Sequence, residues 1–214
     1  MSGALQGLAA HLRVRLLEPL PGNEAHGEMR AVPDEVARAR FPHQAPPRPG
    51  SVLILLYETE SGVRFPLIRR SESGGAHSGQ ISLPGGKNEP HESSESAALR
   101  ETHEEIGVHP ENIRVIGALS PFHVIPSNFL VQPIVGLADS AVRFRPDPRE
   151  VEHVIEVPLD SLINDQARGH ALVEAAGNRW KAPCFRFGNH VVWGATAMIL
   201  NEFRCLVRES GFSR

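Results

Sequence analysis

Six glutamates, Glu89, Glu92, Glu95, Glu101, Glu104 and Glu105, crowd into the stretch from Gly86 to Val108. Placed on a helix at about 100° per residue, Glu101, Glu104 and Glu105 fall within an arc of about 100°. Ala98, Leu99, Thr102 and Ile106 occupy a different face, suited to a core. Like charges three and four residues apart destabilise a helix by about 0.2–0.5 kcal/mol per pair. Arg100, four residues before Glu104, offsets part of that repulsion. A divalent cation would offset all of it, and a ligand set of oxygens alone favours Mg²⁺ or Mn²⁺ over zinc. A solvated acidic face is the competing reading, and the spacing alone leaves both open.

Other chemistry is scarce. His103-Glu104 and His91-Glu92 each begin like the zinc-protease pattern, but the second histidine is replaced by Gly107 and Glu95. There is no phosphate-binding GxxxxGK[ST] loop, no GxGxxG fingerprint and no GxSxG elbow. The 11 histidines show no ligand spacing, and the two cysteines, Cys184 and Cys205, have neither metal-ligand spacing nor the number for a disulfide framework. A reducing, cytoplasmic setting fits two such thiols. Lys plus Arg is 22 against 25 for Asp plus Glu, a net charge of −3, which argues against non-specific nucleic-acid binding as the main task. With 41% apolar and 22% charged residues over 214 positions, the chain is expected to form one globular domain with a terminal extension.

The elements that would hold the acidic helix can be read around it. Leu5, Leu8, Leu12 and Leu16 recur at helical spacing, which predicts an amphipathic helix docked on the surface, with a transit peptide as the alternative. Residues 19–50 are rich in Pro and Gly and read as an irregular connector. Ser51–Tyr57 is a continuous apolar run, the pattern of a strand buried on both faces. Val63–Ile68 follows after a Ser61-Gly62 turn, then a polar loop over 71–79 and a short strand over 80–83. Glu92–Ile106 is the acidic helix, ended by Gly107. Strands are expected over 112–119, 128–135 and 152–157, a helical turn after Pro158, and a long helix over 191–208, starting near Trp193. No run is long enough to cross a membrane. Strands and helices mix without strict alternation, so the sheet should be mixed with helices packed on it.

The stretch Gly86–Val108 resembles the Nudix box, G-x5-E-x7-R-E-U-x-E-E-x-G-U with U apolar. Gly86, Glu92, Arg100, Glu101, Glu104, Glu105 and Gly107 match in register, and Val108 fits the final apolar position. Thr102 departs from the other apolar position, which would slightly weaken helix packing. Seven fixed positions at roughly 7% usage match by chance about once in 10⁸ starts. Pro84-Gly85-Gly86, Glu150-Val151 with Val157-Pro158-Leu159, and Trp193–Ala197 are similar to further family stretches, so the likeness runs over about residues 50–208. It implies an α+β fold, an α/β/α sandwich with a mixed sheet between helices, over 49–214, preceded by an extension over 1–48. It also implies hydrolysis of a nucleoside diphosphate linked to another moiety, with Mg²⁺ or Mn²⁺ as cofactor. By position Glu101, Glu104 and Glu105 with the Gly85 carbonyl would hold the metal. Arg100 would orient Glu104, and Glu92 would brace the loop or bind a second ion through water. Family members differ over the general base; Glu104 and Glu150, or Glu152 beside it, are the candidates.

Upstream, Pro66–Gly86 resembles the pattern of the coenzyme A diphosphatases within that superfamily. Arg70, Ser71, Gly79, Pro84, Gly85 and Gly86 match, whereas Gly75 stands in place of a second arginine. Arg70, His77 and Ser78 offer donors suited to a phosphate, and Asn128, where the group has glycine, would reshape the pocket wall near Phe122, His123 and Phe129. The resemblance therefore implies cleavage of coenzyme A or its thioesters to 3',5'-ADP and 4'-phosphopantetheine. Turnover of ADP-ribose, NADH or dinucleoside polyphosphates, and a non-catalytic nucleotide-binding regulator, are the alternatives. The expected partner is a small nucleotide, with no nucleic acid and no membrane; a homodimer is expected only because many superfamily members form one.

Overall fold

Two sheets and five helices order the chain, in a computed structural model that describes residues 3–33, 45–71, 79–139, 141–175 and 178–212. In chain order these are α1 (Gly3–Arg15), α2 (Asn23–Glu28), β1 (Val32–Pro33), β2 (Arg48–Thr59), β3 (Gly62–Arg70), β4 (Ile81–Ser82), β5 (Gly85–Lys87) and α3 (Ser94–Ile106). There follow β6 (Ile113–Ala118), β7 (Phe122–Val124), β8 (Phe129–Ala138), β9 (Val151–Pro158), α4 (Leu159–Ile163), β10 (Arg168–Ala175), β11 (Asn178–Phe187), β12 (His190–Trp193) and α5 (Gly194–Glu209).

The larger sheet runs β4-β3-β2-β8-β6, with β5 on β2, β7 on β8 and β9 on β3. Its centre is the parallel pair β2–β8, in register from Arg48↔Phe129 to Leu56↔Leu137, and its other pairs are antiparallel, so the sheet is mixed. Successive side chains of a strand point to opposite faces, and β2 uses both. Leu53, Leu55 and Tyr57 join Ala98 and Ile106 of α3 in one core cluster. Ile54 and Leu56 join α1 and α5 in the other. The apolar run that predicted a strand buried twice is therefore the layer between two cores, and the α+β sandwich expected from the sequence is the observed architecture.

The smaller sheet, β1-β11-β10 with β12 on β11, had no counterpart in the sequence reading, which assigned no element to 160–190. Two features hid it. Strand β10 is largely exposed, with His170, Leu172 and Glu174 facing out, so it has no apolar run. Strand β11 contains Pro183, which argues against an interior strand. In the structure β1 pairs with β11 at Trp180 and Lys181, and β12 pairs with it from Cys184 to Phe187. Pro183 falls in the gap between them, where no strand among the described residues pairs with that edge of β11.

The N-terminal leucines are more deeply placed than surface docking implies. Leu5, Leu8 and Leu12 are at most 2% exposed within the larger core cluster. The connector over 19–50 is not wholly irregular, since it carries α2 and β1. Helix α2 is fixed to α5 by buried polar groups. Glu202 accepts from the Gly22 N–H at 3.1 Å and the Ser120 N–H at 3.3 Å, and pairs with His26 Nε2 at 3.0 Å. Asn201 Nδ2 donates to the Ala25 carbonyl at 2.8 Å.

Candidate active site

Helix α3 is built to present one face. The Ser93 hydroxyl accepts from the Ser96 N–H at 3.1 Å and caps the start. Gly107 ends the helix in the left-handed region, φ 74°, where a Cβ would meet the Arg145 carbonyl oxygen at 2.9 Å. Thr102 is fully buried, and its hydroxyl donates to the Ala98 carbonyl at 2.7 Å, so the one polar residue on the core face is satisfied within the helix. The opposite face carries Glu101, Glu104 and Glu105.

Arg100 is the hub of that face. Its guanidinium donates to both Glu92 oxygens at 2.9 and 3.0 Å, to Glu101 at 2.8 Å, to Glu104 at 3.0 Å and to the Lys87 carbonyl at 3.1 Å. The pairing with Glu92 holds that carboxyl below its usual range against a smaller opposing effect of burial. Glu101 behaves otherwise: burial raises its pKa, Arg100 opposes, and Glu104 and Glu150 add to the rise. Its carboxylate lies directly over Gly86, where a Cβ would collide with it and push the carboxylate aside. Glu105 is 1% exposed, accepting from Arg70 Nη1 at 2.9 Å and the Gly85 N–H at 2.8 Å. Burial pushes its carboxyl up to about 7 despite those two donors, and Glu101 and Glu150 push the same way.

Glu150 is exposed on the turn before β9, and its charge contributes to the raised pKa of both Glu101 and Glu105. Glu152 is turned elsewhere and pairs with Arg69 at 2.8 Å. The turn is packed onto α3, since the Asp147 N–H donates to the Glu105 carbonyl at 3.0 Å. It is also bound by Ser71, whose N–H donates to the Glu150 carbonyl at 2.8 Å and whose hydroxyl donates to the Arg149 carbonyl at 2.7 Å. An open cleft of about 550 Å³ borders it, lined by Arg69, Ser71, Pro148, Val151 and Glu152. Asp147, Arg149 and this use of Ser71 were missed in the sequence, where the only signal was Ser71 lying in the upstream motif.

The structure thus gathers Arg70, Gly85, Arg100, Glu101, Glu104, Glu105 and Glu150. Asn128 has another task. It is 8% exposed, its Oδ1 lies 3.1 Å from His123 Nε2, and its Nδ2 donates to the carbonyls of Ala45 and Pro46 at 3.1 and 3.4 Å. It therefore braces the chain entering β2, with its amide taken up by protein. Phe129 lies beside Gly50 under the Arg48 guanidinium, 4.3 Å from the ring centroid. His77 and Ser78 lie outside the described residues. Among the described residues no three of His, Cys, Asp and Glu converge as a ready-made metal cage, because the arginines hold these carboxylates. The donors are nevertheless all oxygens, two of them on partly or fully buried carboxyls, which is the chemistry of a hard-cation site.

The chain matches the NUDIX domain model over residues 47–180. It is 36% identical to chloroplastic Nudix hydrolase 22 of Arabidopsis thaliana over 72% of this chain, and spans 53% of that relative's length. It is 30% identical to the peroxisomal coenzyme A diphosphatase of Mus musculus over 70% of this chain and 66% of that protein. A crystal structure of a MutT/nudix family protein from Enterococcus faecalis superposes with a TM-score of 0.52 at 18% identity, covering 97% of this chain and 75% of that one, which bears on the fold alone. With the box in register on α3 and the family model covering more than half of the sequence, the chain belongs to the Nudix family.

Proposed function

We propose that the protein is a divalent-cation-dependent diphosphatase that cleaves coenzyme A or its thioesters into 3',5'-ADP and a 4'-phosphopantetheine product. The observation that carries the diphosphatase reading is the buried Glu105 carboxyl, held by Arg70 and the Gly85 N–H beside Glu101 on the acidic face of α3. Coenzyme A as the substrate rests on the Arg70–Gly86 motif and on the likeness to the mouse coenzyme A diphosphatase.

Glu101, Glu104 and Glu105, with the Gly85 carbonyl, would hold Mg²⁺ or Mn²⁺. The glycine cradle under Glu101 fits that task, since any side chain at residue 86 would displace the carboxylate. A bound divalent ion neutralises diphosphate charge and lowers the pKa of water. The chain's own residues do the rest. Arg100 keeps Glu101 and Glu104 side by side against their repulsion. Arg70 offers its guanidinium between Glu105 and an incoming phosphate. Glu150 takes the proton of the attacking water as the new P–O bond forms, and the anhydride P–O bond breaks to release the second phosphate. Such a base contributes about 10²–10⁴-fold.

The test is product analysis with Mg²⁺ or Mn²⁺ on coenzyme A, acetyl-coenzyme A, ADP-ribose, NADH and diadenosine polyphosphates, beside Glu105→Gln. The expected result is 3',5'-ADP from coenzyme A with the highest kcat/KM, and at least a 10²-fold loss in Glu105→Gln. A higher kcat/KM on another member of the panel overturns coenzyme A and leaves the chemistry standing. Nucleotide-dependent thermal stabilisation without product from any substrate favours the regulator.

A further inference from the structure

Three successive side chains at the end of β3 each grip a different neighbour. Arg69 pairs with Glu152 at 2.8 Å, Arg70 donates to Glu105 at 2.9 Å, and the Ser71 hydroxyl donates to the Arg149 carbonyl at 2.7 Å. The Ser71 N–H adds a 2.8 Å bond to the Glu150 carbonyl, so both polar groups of one residue hold adjacent carbonyls of one turn. Within the turn the N–H groups of Glu150 and Val151 both donate to the Asp147 carbonyl, at 3.0 and 2.8 Å, and Arg149 closes on the Asp147 carboxylate. Residues 148–150 are themselves exposed, so packing does little to place them. The direction of the Glu150 side chain is set by the backbone of the turn. That backbone is held at its entry by the Arg145 and Asp147 N–H groups, which donate to the Ile106 and Glu105 carbonyls of α3 at 2.8 and 3.0 Å, and at its exit by Val151 of β9, which pairs with Arg70. Between these two ends, Ser71 is the side chain that bonds the Arg149 and Glu150 carbonyls.

We propose that Ser71 is a positioning residue, which fixes the 147–150 turn so that the Glu150 carboxylate stays beside Glu101 and Glu105. On this account the Arg70-Ser71 pair of the upstream motif serves the reaction centre, Arg70 through Glu105 and the incoming phosphate, Ser71 through Glu150. The inference rests on the diphosphatase reading above, with Glu150 as the proton acceptor. A base shifted by about 1 Å from its productive position can cost up to about 10²-fold in rate. Deleting one of the two Ser71 bonds should cost less, because the backbone bond survives.

The experiment compares Ser71→Ala, Ser71→Thr, Glu150→Gln and the Ser71→Ala/Glu150→Gln double variant, with coenzyme A and ADP-ribose in Mg²⁺. Amide hydrogen exchange over residues 147–151 is followed in parallel on metal-free protein. Ser71→Ala is expected to lower kcat about fivefold on both substrates with KM little changed, and Ser71→Thr to restore the rate. In the Glu150→Gln background Ser71→Ala should add nothing, since a residue acting through Glu150 has no separate effect once Glu150 is gone. Exchange at Glu150 and Val151 should quicken in Ser71→Ala. A rise in KM for coenzyme A alone, a full independent loss in the double variant, or unchanged exchange would each overturn the proposal. If the wild type turns over neither substrate, the diphosphatase reading fails instead, and the exchange rates alone still decide whether Ser71 holds the turn.

Discussion

Glu105 shows what a buried carboxyl costs the fold that holds it. Burial keeps its pKa near 7, above the 4.5 of a solvated glutamate. The protonated form is thus favoured by folding, and this contribution is fully present below pH 4.5 and lost as pH rises through 7. In the presence of a chelator, Glu105→Gln should therefore be more stable than wild type at pH 8, with the difference vanishing near pH 4. Urea titrations at the two pH values would show it; a less stable variant at pH 8 would refute the idea. The change proposed to remove activity would then raise stability, a trade expected where strain is kept for function. At this scale the box was legible because its residues lie close together in the sequence, with Arg100, Glu101, Glu104 and Glu105 on one helix. The pairing of Arg100 with Glu104 was legible too, whereas its link to Glu92 was not, because that depends on how residues 87–93 fold back onto α3.

Among the elements, α5 ties distant segments together through its buried polar and charged residues. Glu202 is fully buried; burial alone would raise its pKa, but His26, the Ser120 side chain and the Gly22 N–H outweigh that and hold it below the usual 4.5. Its contribution to stability is present above pH 4.5 and lost as pH falls through the lowered value. Glu202→Ala should cost about 3–5 kcal/mol at neutral pH, because His26 and two N–H groups lose their partner. The loss should shrink in acid, as thermal melts at pH 7 and pH 3 would reveal; an equal loss at both would sink the account. The amphipathic pattern of α5 was readable, whereas the β10–β11 hairpin under it was not. Strand β11 tolerates Pro183 only because β1 and β12 stop on either side of it, and no local pattern announces that gap.

For the molecule as a whole, the two cores share the thickness of one strand, with Leu55 in one and Leu56 in the other. Leu55→Ala and Leu56→Ala should each cost about 2–5 kcal/mol. Both should move one common unfolding transition, seen by fluorescence and circular dichroism alike; two separate transitions would mean the cores unfold independently. The mixed sheet was legible from strands and helices that do not strictly alternate, but not the meeting of the first and last helices, which leaves no mark on local sequence. His11 Nε2 lies 3.1 Å from the Leu206 carbonyl, 195 residues away, and Arg15 pairs with Glu209 at 2.5 Å. During synthesis, at about 5–20 residues per second, Leu5, Leu8 and Leu12 would leave the ribosome ~10–40 s before the helix that covers them. For that interval the nascent chain carries a leucine face that α5 does not yet cover, a surface a chaperone would bind.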